Sequence, residues 1–393
     1  LLKRAGEIYE ERNPSPPGES PIKGEDLTSE QLESVAEKVF EELGNMDQTP
    51  VQHEMPVETT LEKRGAKDAR ISTGGKEKER FTLCLAVMAD GGKVPLRIIF
   101  KGTPFIPPTK SGKGKTTQPR KGSIAAEIAP ANRTRNGHPA GGMSFGVQDK
   151  SWCDARECTL WLTESWKLRP NNGSIIKQRP SILVLDDFRC HKDEGFIADL
   201  LKTANTIVIL IPGGLTPLLQ PLDRMLNKQM KRLLRGMYTA HTATAVADTR
   251  TGKLTPPGRG QVSTWCKQAW AQITPELVKT CFKICGLTLA LDGSEDHAWC
   301  SHNFGEGYPE LLQQQRVEWE AQHPDVTLPP LHLPVVPEGA VASTNPIAAA
   351  QKKVDAKLLP PTDDDSDVEL LEDDSDVEFL GGGGGGVEEE IEL

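Results

Sequence analysis

Residues 181–191 read Ser-Ile-Leu-Val-Leu-Asp-Asp-Phe-Arg-Cys-His, and residues 206–214 read Thr-Ile-Val-Ile-Leu-Ile-Pro-Gly-Gly. Ile182–Leu185 is a short apolar run between polar residues, the pattern of a strand buried on both faces. Phe196, Ile197, Leu200 and Leu201 then recur at helical spacing, and Ile207–Ile211 forms a second buried strand. A β-α-β unit of this kind places its two strands parallel. Asp186 falls at the C-terminal end of the first strand, where open α/β sheets put their ligand-handling groups. Leu-Gln-Pro-Leu-Asp-Arg at 219–224 follows, and Asp223 heads the next helix. Two carboxylates at the ends of one unit predict a metal site.

Those residues carry a resemblance. Leu-Asp-Asp-Phe-Arg-Cys-His, then Ile-Pro-Gly-Gly-Leu-Thr at 211–216, then Leu-Gln-Pro-Leu-Asp resemble the DDE endonuclease domain of pogo/Tigger-type transposases, a group that includes centromere-protein-B and Jerky relatives. Asn-Met-Asp-Gln-Thr-Pro at 45–50 is similar to that family's first-aspartate motif, Asn-x-Asp-Glu-Thr-Pro. Lys-Arg-Gly-Ala-Lys at 63–67 and a strand ending Ala-Asp-Gly-Gly-Lys at 89–93 follow in the expected order. Several ordered motifs together are far more specific than one. The match runs over about 44–300. It implies a ribonuclease-H-like α/β fold, a mixed sheet flanked by helices, with Asp47, Asp186 and Asp223 as the catalytic and metal-holding set.

The chemistry suits those side chains. Phosphodiester cleavage and strand transfer need one metal to activate the attacking oxygen and another to stabilise the leaving oxygen. Mg²⁺ (or Mn²⁺) prefers carboxylate oxygens and keeps several waters, so three aspartates suffice without His or Cys. Asp187, Arg189 and His191 are expected on the same rim as loop structure. Three positions depart from the family pattern: Gln48 stands for Glu, Asp187 for Ser and Cys190 for Gly. Gln48 lowers the negative charge beside the metal.

Working outward, residues 1–27 are polar and Pro-rich and are expected to be loose. Thr28 and Gln31 resemble a capping box, and Leu32, Val35, Val39, Phe40 and Leu43 make one apolar helix face ended by Gly44. Met46–Val51 is the expected first strand. Phe81–Met88 and Val94–Phe100 form a hairpin across Asp90-Gly91-Gly92. Residues 101–146 interrupt the pattern as a basic insertion, with Lys101, Lys110, Lys113, Lys115, Arg120 and Lys121 ahead of any acid. This is either a phosphate-contacting loop, through Lys113 and Lys115, or a solvated stretch. Gly114-Lys115-Thr116 is not a nucleotide-binding loop, because Thr109 stands where its first glycine belongs and Pro119 blocks the helix.

Arg156–Trp166 is a helix with Cys158, Trp161, Leu162 and Trp166 inward. After Asp223, the cations Arg224, Lys228, Lys231, Arg232 and Arg235 recur at helical spacing. They suit tracking along a DNA backbone, and equally an ordinary solvated face. Trp265–Ile284 is helical. Cys281, Cys285, His297, Cys300 and His302 invite a zinc reading, but Cys281 and Cys285 on one helix face are more often small core residues. A helix near Glu310–Ala321 interrupts a Pro-rich linker over 301–358.

The acidic low-complexity tail, 359–393, contains fourteen Asp and Glu and no Lys or Arg, so the net charge of −10 becomes +4 without it. Asp-Asp-Ser-Asp-Val-Glu-Leu-Leu at 364–371 returns at 373–380 with Phe379. The tail is too acidic to fold alone and is expected to be disordered. Ser366 and Ser375 suit an acidophilic kinase, and the Val-Glu-Leu-Leu and Val-Glu-Phe-Leu runs resemble SUMO-interacting motifs. Eight scattered cysteines read as reduced intracellular thiols, which with the resemblance gives a nuclear location. The expected partners are DNA, SUMO or a kinase through the tail, and a second copy of the chain as a homodimer, with no membrane.

Leu1 is not a starting Met, so the sequence reads as a fragment or an incomplete gene model. The helix-turn-helix region that the resemblance places ahead of the nuclease is absent from it, and end-specific recognition is not expected of this piece. Two functions follow: a Mg²⁺-dependent, transposase-derived DNA endonuclease, or a catalytically retired nuclear DNA- or chromatin-binding protein. A phosphatase built on Asp186 lacks its Asp-x-Asp nucleophile motif.

Overall fold

The computed structural model describes residues 2–14, 20, 23, 26–55, 73–76, 78–105, 119–130, 134–135, 138–139, 142–172, 178–305, 307–324, 333–334 and 346–355. Lys63–Lys67, Lys113, Lys115 and the acidic tail with its kinase and SUMO motifs lie outside the described residues.

Helix α1 (Leu2–Arg12) precedes α2 (Ser29–Glu42). Thr28 closes the capping box expected of it: its hydroxyl accepts from the Gln31 N–H, and Gln31 Oε1 accepts from the Thr28 N–H at 2.7 Å. The expectation that residues 1–27 are loose fails for α1. Ile8 is buried against Leu32, Val35 and Val39, so the apolar face of α2 supplies the burial that the polar α1 sequence does not advertise.

Strand β1 (Leu43–Gln52) starts directly after α2. Gly44 does not end the helix; it lies in β1 with the Trp166 ring so close that a Cβ would come within 2.5 Å of it. Strands β2 (Arg80–Met88) and β3 (Leu96–Lys101) form the expected hairpin. Inside the supposed insertion, the structure adds a helical turn (Ile124–Ile128) and strand β4 (Met143–Gln148), parallel to β3 at the sheet edge. The alternation Met143, Phe145, Val147 that buries one face of β4 was present in the sequence.

Helix α3 (Ala155–Glu164), β5 (Ser181–Leu185), α4 (Glu194–Ala204) and β6 (Thr206–Leu210) complete the parallel half. The sheet order is β4-β3-β2-β1-β5-β6, with β2 antiparallel to both neighbours and β1, β5 and β6 parallel. Without β4 this is the ribonuclease-H-like order. β6 closes the far edge, so Ile207 and Ile209 are exposed rather than buried as expected, as is Leu201 on α4.

Period-two alternation sends residues to two cores. Leu43, Val51, Leu83, Leu85, Ile98 and Val184 face α5 (Asn227–Thr244), α6 (Arg259–Gln272) and α7 (Pro275–Ile284). Met46, Cys84, Leu183 and Leu185 face α3 and α4, where Trp161, Trp166, Phe196 and Leu200 fill the space. Helices α8 (Asp296–Phe304) and α9 (Tyr308–Gln322) follow, and α10 (Pro346–Asp355) returns Ile347 to the core from a stretch expected to be linker. The eight cysteines are buried and free. Cys281 and Cys285 are core residues, as their helical spacing suggested. Among the described residues, no helix is long and apolar enough to cross a membrane.

His53, just past β1, is buried edge-on against Phe81 and near Phe100. Burial pushes its pKa down to about 4 from an ordinary 6.5, while the carboxylate of Glu79 only partly opposes the shift. A histidine buried neutral contributes stability that is complete above pH 6.5 and is lost as pH falls toward about 4. The loss should reach about 3 kcal/mol, at 1.36 kcal/mol per pKa unit. Urea unfolding at pH 7 and pH 4.5 should show it, and His53→Phe should flatten that limb; an unchanged limb would refute the assignment.

Candidate active site

The parallel pairing of β1 with β5 ends at Asn45 opposite Val184. Asp47 and Asp186 each lie two residues further on, so the register sets them side by side where the strands part. Odd-numbered positions of β1 face the α5 layer, which turns Asp47 toward α5 and Gln48 toward the opposite face.

Asp223 is carried into place by Gln220. That side chain is fully buried, donates through Nε2 to the Met46 carbonyl at 3.1 Å and accepts at 2.7 Å from Asn45 Nδ2. Asn45 Nδ2 also donates to the Val184 carbonyl at 2.9 Å, and Asn45 Oδ1 accepts from the Leu222 N–H at 3.3 Å. One asparagine thus ties β1, β5 and the approach to α5 together. Residues Leu222–Leu226 form a π-helical turn, a feature frequent at functional sites, and Asp223 stands in it.

Asn227, one turn on and on the same face, donates through Nδ2 to Asp47 Oδ2 at 2.6 Å and to Asp223 Oδ1 at 2.7 Å. Its own Oδ1 is buried without a partner. Such an acceptor ordinarily costs about 1–3 kcal/mol, and few are left in native proteins. Asp47 is 5 % exposed. Burial raises its pKa well above the ordinary carboxylate range, and the Asp223 and Asp186 carboxylates raise it further against the opposing bond from Asn227.

Asp186 takes a different partner. His191 Nδ1 lies 2.5 Å from Asp186 Oδ1, and its Nε2 lies 2.8 Å from Gln48 Nε2. Burial alone would push the imidazole pKa down, but the Asp186 carboxylate outweighs it and holds the imidazole above its ordinary 6.5. Cys190 contributes no charge, because contact with Cys158 and burial keep its thiol neutral; Asp186 is the cause that counts. Gln48 Nε2 beside Nε2 fits a neutral ring, whereas a charged ring requires the Gln48 amide turned so that Oε1 accepts. An ion pair this short and buried favours the charged ring, and an amide rotation satisfies it. His191 was expected on the rim; it is 1 % exposed and braces Asp186 from within. Asp187 stays outside, paired with Lys192 at 3.1 Å.

The structure therefore brings Asp47 and Asp223 onto one amide and sets Asp186 beside them on its own brace. Among the described residues, no three His, Cys, Asp or Glu side chains close into one coordination cage. The donors Asp47, Asp186 and Asp223 are nevertheless all oxygen, the type that a hard divalent cation takes. Of the cations expected along α5, Arg224 is committed to the Pro217 carbonyl at 3.0 Å and Asn303 at 3.3 Å, and Lys231 is buried. Lys228, Arg232 and Arg235 are half-buried. Lys231 and Arg235 look toward the end of β1, around Pro50, Gln52 and Arg80. Asn45, Gln220 and Asn227 were not singled out in the sequence, although the first two stand inside the quoted motifs.

The family model for DDE superfamily endonucleases matches residues 78–282, which hold Asp186 and Asp223 and begin after Asp47. The chain is 30 % identical over 259 residues to the "Pogo transposable element with KRAB domain" proteins of Mus musculus and of Homo sapiens. The match covers 66 % of this chain, and the chain spans 37 % of the length of those relatives. Among solved structures, the Mos1 transposase paired-end complex with left transposon end aligns at a TM-score of 0.36 and 12 % identity, over 75 % of this chain and 62 % of the other. A Mos1 mariner paired-end complex with Mn aligns at 0.34 and 14 %, over 73 % and 59 %.

Proposed function

The chain belongs to the DDE superfamily endonucleases, and we propose that it cleaves DNA phosphodiesters with divalent cations held by Asp47, Asp186 and Asp223. The observation that carries this reading is the gathering of three carboxyl groups where the central strands β1 and β5 part. Asp47 is buried beside Asp223 and Asp186, and its proton affinity is raised as a result. A divalent cation, Mg²⁺ or Mn²⁺, would relieve that charge and supply activation of the attacking oxygen and stabilisation of the leaving one.

The remaining parts are the chain's own. The Asn45–Gln220 bonds hold Asp47 and Asp223 at a fixed separation. His191 occupies Oδ1 of Asp186 and leaves its Oδ2 for a cation. Lys228, Arg232 and Arg235, with Lys113 and Lys115 from the basic segment, are the side chains offered to the phosphate backbone. The relatives are transposable-element proteins, and a nuclear setting belongs to the same proposal.

Supercoiled plasmid incubated with the chain should convert to the open-circular form in Mg²⁺ or Mn²⁺ and remain supercoiled in chelator. DNA binding by anisotropy is measured alongside. Binding without conversion in either metal would overturn the endonuclease and support the second reading, a retired DNA-binding protein. That reading is favoured by the amide of Asn227 bridging two of the three carboxylates. It is also favoured by the neutral Gln48 where the family motif has Glu.

A further inference from the structure

One feature of Asn227 has no use in a purely structural role: its buried carbonyl has no partner. A primary amide has two N–H donors and one carbonyl acceptor. Both donors of Asn227 are spent on the carboxylates of Asp47 and Asp223, at 2.6 and 2.7 Å, and the carbonyl is buried with nothing to accept. The side chain is 5 % exposed, so bulk water does not complete it.

The orientation follows from charge. With no cation present, the N–H₂ end gives both carboxyl groups a donor, whereas the carbonyl end would set a third oxygen beside them. A cation between the carboxylates reverses that preference, because it repels N–H and attracts a carbonyl oxygen. Asn227 holds the position from which either end can reach the site, four residues after Asp223 on one helix face. A rotation about its last side-chain bond exchanges the two ends with no movement of the backbone.

We infer that Asn227 is a fourth member of the metal site, clamping Asp47 to Asp223 through Nδ2 in the metal-free protein and presenting Oδ1 to the divalent cation when one binds. This rests on the proposed endonuclease reading and adds to it a ligand that the three-aspartate pattern lacks.

The test is Mn²⁺ binding to the full chain, followed by the electron-spin resonance of free Mn²⁺, in the wild type, Asn227→Ala and Asn227→Asp. Thermal melts in chelator confirm that each variant is folded. Asn227→Ala should weaken Mn²⁺ by about tenfold or more, the scale set by loss of partners around a metal site. Asn227→Asp keeps an oxygen at the same place and should bind Mn²⁺ at least as tightly as wild type, while its metal-free melting temperature falls from added carboxylate repulsion. A structural clamp alone predicts the reverse order, with the aspartate variant the worse binder, and that order would overturn the inference. Wild-type affinity in the alanine variant would overturn it too. Asp47→Asn separates the two levels: if it abolishes binding while Asn227→Ala does not, only the role of Asn227 falls. If wild type binds no Mn²⁺, the endonuclease reading falls with it.

Discussion

Asp47→Asn is expected to make the metal-free protein more stable and to leave it unable to nick DNA. The two effects share one cause. Asp47 is a carboxylate held away from water, facing Asp223 and within the field of Asp186, and burial followed by those charges raises its pKa. A carboxyl whose folded pKa is raised binds its proton more tightly in the folded state. Its stability is complete below the ordinary aspartate value of about 3.9 and is lost as pH rises through the raised one. The amide of the variant carries no charge to lose. It still accepts from Asn227, and it can donate to Asp223. In chelator the variant should therefore melt higher than wild type by the equivalent of about 0.5–2 kcal/mol, the range of stabilising single changes. The gap should open as pH is raised.

Saturating Mn²⁺ should reverse the ranking, because a ligand that binds only the folded state stabilises wild type and finds a weakened site in the variant. Nicking should fall by about 100-fold or more, beyond the 10–100-fold that outer partners of a metal cost. Calorimetric melts with and without Mn²⁺, beside the plasmid assay, decide it. Undiminished nicking by the variant removes Asp47 from the catalytic set. A lower melting temperature in chelator would mean that its charge is compensated in the fold.

The strand end that carries Asp186 and the helix start near Asp223 were legible in local pattern, whereas Asp47 was singled out only by its resemblance to the family's first-aspartate motif. Their partners were not legible. Asn227 and His191 are polar residues near motifs, and nothing in their local periodicity tells a buried side chain from an exposed one. Asn45 and Gln220 meet across 175 residues of chain. The basic run after Asp223 was read as a DNA-tracking stripe or a solvated face, yet helical spacing could not reveal that Lys231 is buried or that Arg224 is taken by Asn303. Helix α1 and helix α10 were read as loose because their sequences are polar or Pro-flanked, and their burial is supplied by other elements. Strand β4 differs: its alternation was present and was masked by the basic residues before it.

The largest stability effect is expected far from the aspartates, at Arg97. This β3 residue is fully buried on the α3 face, together with Glu157, which is also fully buried. Arg97 Nε and Nη2 both reach Glu157 Oε2, at 3.1 and 2.5 Å, and Nη1 reaches Glu164 at 2.6 Å and Ser144 Oγ at 3.1 Å. The network fastens α3 to β3 and β4, and it explains Gly146 on β4, where a Cβ would overlap the Glu157 carboxylate. Burial would push the guanidinium pKa down, and the two glutamates more than offset it, so the charge is kept. Removing one partner leaves the other with only its half-exposed second partner, Glu164 for Arg97 and Arg156 for Glu157, and breaking a buried pair in this way costs up to about 3–5 kcal/mol, whereas replacing both by apolar groups is often close to neutral. Arg97→Leu and Glu157→Leu should each lower urea-unfolding stability by that amount. The double variant should lose far less than the sum, since Glu164 is 27 % exposed and can turn to water. Additive losses would mean that the ion pair is stabilising in its own right and not a mutual neutralisation. Because this network lies on the sheet face opposite Asp47, nicking per folded molecule should not change in the double variant.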